Sequence, residues 1–169
     1  MIKVSRFVCN MLQENTYVVS DESCEAVVID CGALYDMERN AIIRYIKDNE
    51  LKPVHLLCTH GHFDHVIVND TITREFGLKP EVAAEDKHLM NLKKQLKYMM
   101  GMYYDNEVPP IGRLLTANDI IGFGTHSIKI LPTPGHTPGS VTFYIETEHV
   151  AFTGDTLFHM SIGRTDFPG

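Results

Sequence analysis

Residues 59–65 read Thr59-His60-Gly61-His62-Phe63-Asp64-His65, three imidazoles and a carboxylate packed too tightly for a solvated surface run. Neutral imidazole nitrogen and carboxylate oxygen are donors that zinc, manganese and iron accept. Alternate residues of an extended loop point the same way, so His60 and His62 aim at one ion, and Gly61 keeps the loop unobstructed. Asp64 and His65 fall at the start of the next helix and point to a different spot. That separation predicts two adjacent ions.

Working outward, the loop leaves a short apolar strand at Val54–Cys58 and enters a helix running from near Asp64 to Gly77, followed by a strand at Glu81–Ala84. Upstream, Ile2–Val8, Thr16–Ser20 and Ala26–Ile29 are β-branched stretches separated by turn residues, which read as consecutive strands. Met37, Ala41, Ile42, Tyr45 and Ile46 recur at helical spacing and predict a helix over Asp36–Glu50. A long amphipathic pattern predicts another helix from Asp86 to about Met102, with Asp105–Pro110 as loop. Strands return at Ser127–Leu131, Ser140–Ile145 and His149–Thr153. Alternation of strands and helices predicts an α/β layered sheet.

Two further side chains sit where strands end. His136 lies in Pro132-Thr133-Pro134-Gly135-His136-Thr137-Pro138-Gly139-Ser140, where the prolines restrict the backbone that carries the imidazole. Asp155 follows a strand in Thr153-Gly154-Asp155-Thr156, and a carboxylate there can bridge two ions.

The chain has 169 residues, 44% hydrophobic and 22% charged, enough for one domain with its own buried core. Fifteen Lys and Arg against 22 Asp and Glu give a formal charge of −7, which repels phosphate backbones and anionic membranes. Nucleic acid and membrane partners are not expected. Asn10, Gln13 and Glu14 break any apolar leader at the amino terminus. Cys9, Cys24, Cys31 and Cys58 form no C-x-x-C pair and suit reduced thiols, so a cytoplasmic location is expected.

THGHFDH, PTPGHTPGS and FTGDTLF, in this order and spacing, resemble the metallo-β-lactamase-fold hydrolases, and Ser161–Gly169, SIGRTDFPG, narrows the resemblance to the glyoxalase II-like branch. The resemblance covers essentially the whole chain and implies a single domain over residues 1–169 with a four-layered αββα sandwich (class α/β, or α+β). It implies that His60, His62 and His136 hold the first metal, that Asp64 and His65 hold the second, and that Asp155 bridges both. Asp30, ending a strand before Cys31-Gly32, resembles the family's aspartate that hydrogen-bonds near the ligands. The family continues past GRTDFPG and supplies a last histidine from there. This sequence stops at Gly169, so the domain reads as incomplete and its second site as one ligand short. Val66-Ile67-Val68 stands where many relatives have glycine, and the helical domain with which glyoxalase II grips glutathione is not in this sequence.

The function implied is a two-zinc hydrolase, with iron or manganese as alternatives, that attacks a thioester such as hydroxyacylglutathione with metal-activated hydroxide oriented by Asp64. The alternative on the same fold is a persulfide dioxygenase with one iron on His60, His136 and Asp155. Other residues are set aside: His55 as a core or hydrogen-bonded histidine, His88, His126 and His149 as solvated, His159 as a surface histidine beside the cleft, Cys58 as a small buried hydrophobe. Lys87–Tyr104 is read as an amphipathic core helix rather than a lid, and Arg164 and Asp166 as a pair inside the last loop.

Overall fold

A computed structural model describes residues 1–166; Phe167, Pro168 and Gly169, the end of the GRTDFPG stretch, lie outside the described residues. Ten strands form two sheets. The first runs in spatial order β1 (Lys3–Cys9), β2 (Glu14–Ser20), β3 (Glu25–Ile29), β4 (Lys52–Leu57), β5 (Pro80–Ala83), β6 (Arg113–Leu115). Its first two pairings are antiparallel and the other three parallel. The second sheet holds β7 (Ile120–Phe123), β8 (His126–Pro132), β9 (Val141–Ile145) and β10 (Val150–Phe152), all antiparallel in the order β10-β9-β8-β7. A small hairpin, β11 (Leu157–Phe158) and β12 (Ser161–Ile162), follows.

Burial follows pairing. The parallel strand β3 is covered on both faces, and Ala26, Val27, Val28 and Ile29 are fully buried. In β8 the second sheet keeps one wet face: Ile128 and Ile130 are buried while Ser127, Lys129 and Leu131 are exposed. Successive strand residues face opposite ways, so the first sheet feeds two cores. Val18, Val28 and Leu56 pack with Ile42, Ile46 and Ile72 of the helices. Val19, Val27, Ile29 and Leu57 pack with Ile121, Phe123, Ile128, Phe143 and Ile145 of the second sheet. The described residues thus build helix, sheet and sheet, three of the four layers of the αββα sandwich. Among them no helix is long and apolar enough to cross a membrane.

Helix α1 spans Asp36–Asp48, and Glu38 reaches back to accept the Tyr35 N–H at 3.1 Å. The helix expected from Asp64 to Gly77 is two pieces, α2 (Phe63–Val66) and α3 (Asn69–Phe76). The break has a local cause: the His65 carbonyl accepts from Cys31 N (2.6 Å) and Val68 N donates to the Cys31 carbonyl (3.1 Å), which diverts backbone groups from the helix. Gly77, at φ 73°, ends α3 as a left-handed cap.

The long helix expected from Asp86 is also broken. Ala84–Met90 is a 3₁₀ helix, α4 covers Leu92–Gln95, and Leu96–Met100 is a π turn. Asn91 interrupts the first two with a non-helical ψ of 76°, and its side chain caps Lys94 N at 3.1 Å. Strands β6, β7, β11 and β12 carry too little sequence signal to be read: three of them have two or three residues, and β7 contains Gly122.

Candidate metal centre

Every chemically active side chain leaves a strand end: Asp30 after β3, residues 59–65 after β4, His136 after β8 and Asp155 after β10. Asp30 has φ 50°, a left-handed conformation that aspartate tolerates. Its carboxylate accepts from Thr59 N and Thr59 Oγ1, both at 2.7 Å, and lies 2.9 Å from His65 Nδ1. Asp30 therefore fixes the first residue of the histidine loop and the last one.

Four imidazoles converge in front of it. Ring centroids lie 4.8 Å apart for His60 and His62, 4.2 Å for His60 and His65, 4.8 Å for His60 and His136, and 4.7 Å for His62 and His136. All four side chains are buried. His60, His62 and His136 present donor atoms mutually within 4.8 Å; so do His60, His65 and Asp155, and so do Glu14, Asp30 and His65.

The polar accounting supports a cation here. His60 Nε2 is buried with no hydrogen-bond partner among the described residues. Leaving such an atom unsatisfied costs about 1–3 kcal/mol, whereas a metal ion would use its lone pair. His136 Nδ1 lies 2.9 Å from the Arg164 carbonyl; donating its proton there leaves the Nε2 lone pair turned into the cluster. The two oxygens of Asp155 divide: Oδ1 is 3.2 Å from His65 Nε2, and Oδ2 is 3.3 Å from His136 Nε2. Asp64 Oδ2 lies 3.6 Å from His65 Nε2. The residues present thus fit a divalent metal centre, with one carboxylate set between two donor groups.

Burial, reinforced by the neighbouring imidazoles, pushes the pKa of His60 well below the ordinary value and that of His62 down to about 4. Both rings are neutral at pH 7, the form that ligates. Burial would lower His65 too, but the carboxylates of Asp30, Asp155 and Asp64 outweigh it and hold His65 well above the usual range. Asp64 is raised by burial. Burial also works upward on Asp155, yet His65 and His136 hold it below the usual carboxylate value. Glu14, at the cleft floor, is raised to about 8 by burial.

The sequence reading missed two supporting residues. Asp86 is fully buried and accepts from Gly61 N (2.9 Å), Thr137 Oγ1 (2.7 Å) and Gly139 N (2.7 Å). Gln95 accepts from Phe63 N at 3.1 Å and donates to the Gly61 carbonyl at 2.7 Å. Both come from the segment read as a long amphipathic helix, in which residues nine apart fall on opposite faces, so periodicity gave no signal for the pair.

His126 corrects the expectation of a solvated ring. It is half-buried at the far end of the sandwich, between Asp21 Oδ2 (3.1 Å) and Glu148 Oε1 (2.9 Å). His55 is hydrogen-bonded as expected, 2.5 Å from Glu81 Oε1, and His88 and His149 are exposed. Cys58 is a buried thiol that joins none of the donor groups, accepting instead from Asn69 Nδ2 at 3.6 Å. Arg164 and Asp166 form the expected exposed pair, with Nε 2.6 Å from Oδ1. The centre opens into a cleft of about 500 Å³ whose walls include Arg6, Leu12, Tyr17, Phe158 and the exposed His159.

Two packed sheets with histidine and aspartate donors gathered at their strand ends define a metal-binding hydrolase sandwich. The chain belongs to the metallo-beta-lactamase superfamily, whose family model matches residues 9–169. It is 34% identical over 157 residues to the hydroxyacylglutathione hydrolase GloC of Haemophilus influenzae, covering 92% of this chain and 72% of that one. Among solved structures, the BLEG-1 B3 metallo-beta-lactamase superposes with a TM-score of 0.87 at 33% identity over 100% of this chain and 78% of its own. TTHA1623 in a di-iron-bound form superposes with a TM-score of 0.82 at 31% identity, over 98% and 79%.

Proposed function

We propose that the chain is a thioester hydrolase of the hydroxyacylglutathione type, working at a dinuclear centre. His60, His62 and His136 hold the first ion, Asp64 and His65 the second, and Asp155 bridges them. The observation that carries this reading is the division of Asp155, one oxygen toward His65 and the other toward His136. Zinc is the proposed metal, with iron or manganese fitting the same donors. A relative of 31% identity carries two irons. Bound divalent ions supply Lewis acidity and a water whose pKa falls to roughly 7.

The protein's own residues do the rest. Asp64, facing the cleft beside His65, orients the attacking oxygen and takes up its proton. Asp30 and the Arg164 carbonyl accept the Nδ1 protons of His65 and His136, so Nε2 of each ring faces the reacting centre, where a bound cation would displace the Nε2 proton of His65. A thiol has a reference pKa of about 8.5, so a thiolate departs without a dedicated acid, whereas an amide nitrogen needs a proton supplied. Arg6 and Leu12 give the cleft one cationic and one apolar wall, which suits an anionic acyl thioester. The four free cysteines, three of them buried, suit the cytoplasm.

The test loads the full chain with zinc, manganese or iron, counts ions per chain, and follows thiol release from S-lactoylglutathione. Two ions and steady thiol release are expected. Fully loaded protein that cleaves no acyl-glutathione thioester refutes the substrate class; β-lactam opening in its place, or oxygen uptake with glutathione persulfide at one iron, identifies the competing activity.

A further inference from the structure

Asp86 stands apart from the ligand set and yet touches both loops that carry it. The 3₁₀ helix Ala84–Met90 starts directly after β5 and brings this carboxylate, fully buried, between the histidine loop and the His136 turn. Gly61, whose N–H it accepts at 2.9 Å, is the residue between His60 and His62. Thr137 and Gly139, whose hydroxyl and N–H it accepts at 2.7 Å each, are the first and third residues after His136. The first loop belongs to one sheet and the second to the other.

The donor and acceptor count closes. Ser140 Oγ accepts from Thr137 N at 3.0 Å and donates its own proton to Thr137 Oγ1 at 2.8 Å. The Thr137 hydroxyl is then committed to Asp86 Oδ2, which also takes Gly61 N–H, while Oδ1 takes Gly139 N–H. Two glycines make the approach possible. A Cβ on Gly139 would lie 2.6 Å from Asp86 Cγ, and one on Gly61 would lie 2.7 Å from Leu89 Cβ and 3.2 Å from the Asp86 carbonyl oxygen. A side chain at either position would push the loop off its carboxylate anchor.

We propose that Asp86 is the positioning residue of the first metal site: one buried carboxylate, shared by three donors, sets the distance between the His60–His62 pair and His136. This rests on the reading of His60, His62 and His136 as ligands. Hydrogen-bonded partners behind metal ligands govern affinity by about 10–100-fold, and Asp86 acts in this way on three ligands from two sheets at once. The amphipathic segment is broken after Met90 because its first turn serves this anchor and its next, through Gln95, holds the Gly61 carbonyl and Phe63 N–H.

The experiment compares wild type with Asp86→Asn, which keeps shape and replaces one acceptor by a donor, and with Thr137→Val and Thr137→Ser, which remove and retain the hydroxyl. Zinc affinity is measured by chelator competition, and cobalt(II) substitution reports ligand geometry through its visible spectrum. We expect Asp86→Asn to lose about 10–100-fold in first-site affinity with an altered cobalt spectrum, Thr137→Val to move the same way by less, and Thr137→Ser to restore wild-type values. Folded Asp86→Asn protein with wild-type affinity and spectrum, even at a lower melting temperature, overturns the proposal. Should Asp86→Asn not fold, the threonine pair decides, and equal affinities for Val and Ser overturn it. Wild type that binds neither zinc nor cobalt removes the metal centre itself, a result distinct from either.

Discussion

Replacing Asp30 with Asn should strip the second ion from the centre while leaving the sheets in place. Asp30 Oδ1 accepts from Thr59 N at 2.7 Å, and Oδ2 meets Thr59 Oγ1 at 2.7 Å and His65 Nδ1 at 2.9 Å. An amide has one oxygen and one NH₂, so one of these positions must now carry a donor. The backbone N–H of Thr59 cannot adapt. The Thr59 hydroxyl can rotate and His65 can change tautomer, so the amide oxygen stays on Thr59 N and the NH₂ turns to His65. His65 then takes its proton on Nε2, the atom 3.2 Å from Asp155 and 3.6 Å from Asp64, and its lone pair leaves the cleft. Loss of such an orienting partner weakens a metal by about 10–100-fold, or about 1.4–2.7 kcal/mol. Ions per chain and chelator competition give the affinity, and ¹⁵N chemical shifts of the imidazoles give the tautomer. Unchanged affinity for the second ion, with Nε2 of His65 still unprotonated, would refute the reasoning.

Asp64→Asn should lower kcat by at least about 100-fold, the lower end of general-base contributions, while first-site affinity falls less than tenfold; steady-state kinetics beside a zinc titration separates the two. Gly32→Ala forces a Cβ to within 2.1 Å of the Asp64 carbonyl oxygen and 2.3 Å of Glu14 Oε2, and thermal unfolding should show a loss of about 1–3 kcal/mol. Gly122→Ala, with nothing within 4 Å of the new atom, should leave the midpoint nearly unchanged. Burial alone would raise the pKa of Asp21, but hydrogen bonds from Ser23, Thr125 and His126 overcome it and hold the carboxyl below the usual range. A lowered folded-state pKa gives stability that is present above the unfolded value of about 3.9 and lost as pH falls through the folded one. Asp21→Asn should therefore lower the unfolding midpoint at pH 7 and flatten its decline between pH 5 and 2, and equal acid slopes in the two proteins would count against the assignment.

The histidine loop was legible because ligand-type residues at alternate positions of a strand exit have few other uses, and the hydrophobic period exposed β1 to β4 and β8 to β10 within a residue or two. What stayed hidden was set by contacts distant in sequence. Periodicity in 86–102 sees only which residues are apolar, so it gave one continuous helix; it could not see that Asp86 and Gln95 serve loops 25 to 53 residues away. His126 looked solvated among polar neighbours because its partners, Asp21 and Glu148, are 105 and 22 residues distant. The last glycine-rich motif invited a reading of its arginine, while its contact with the centre is a backbone carbonyl, at Arg164. Gly163 beside it leaves no room for a side chain against the Asp155 carbonyl.

The seam between the two sheets has a different texture at its two depths. Inside, Val27, Ile29 and Leu57 meet Ile128 and Phe143 through apolar contact. At the rim the sheets also meet through polar contacts, Val141 N to the Thr59 carbonyl at 2.9 Å and His62 Nδ1 against His136 Nε2 at 2.9 Å. Donors contributed by both halves vanish together if the rim parts, so ligand occupancy and sheet association are one equilibrium. Occupancy should then slow amide hydrogen exchange selectively in β8 and β9, the strands on either side of the His136 turn, and leave exchange in β1 and α1 as it was.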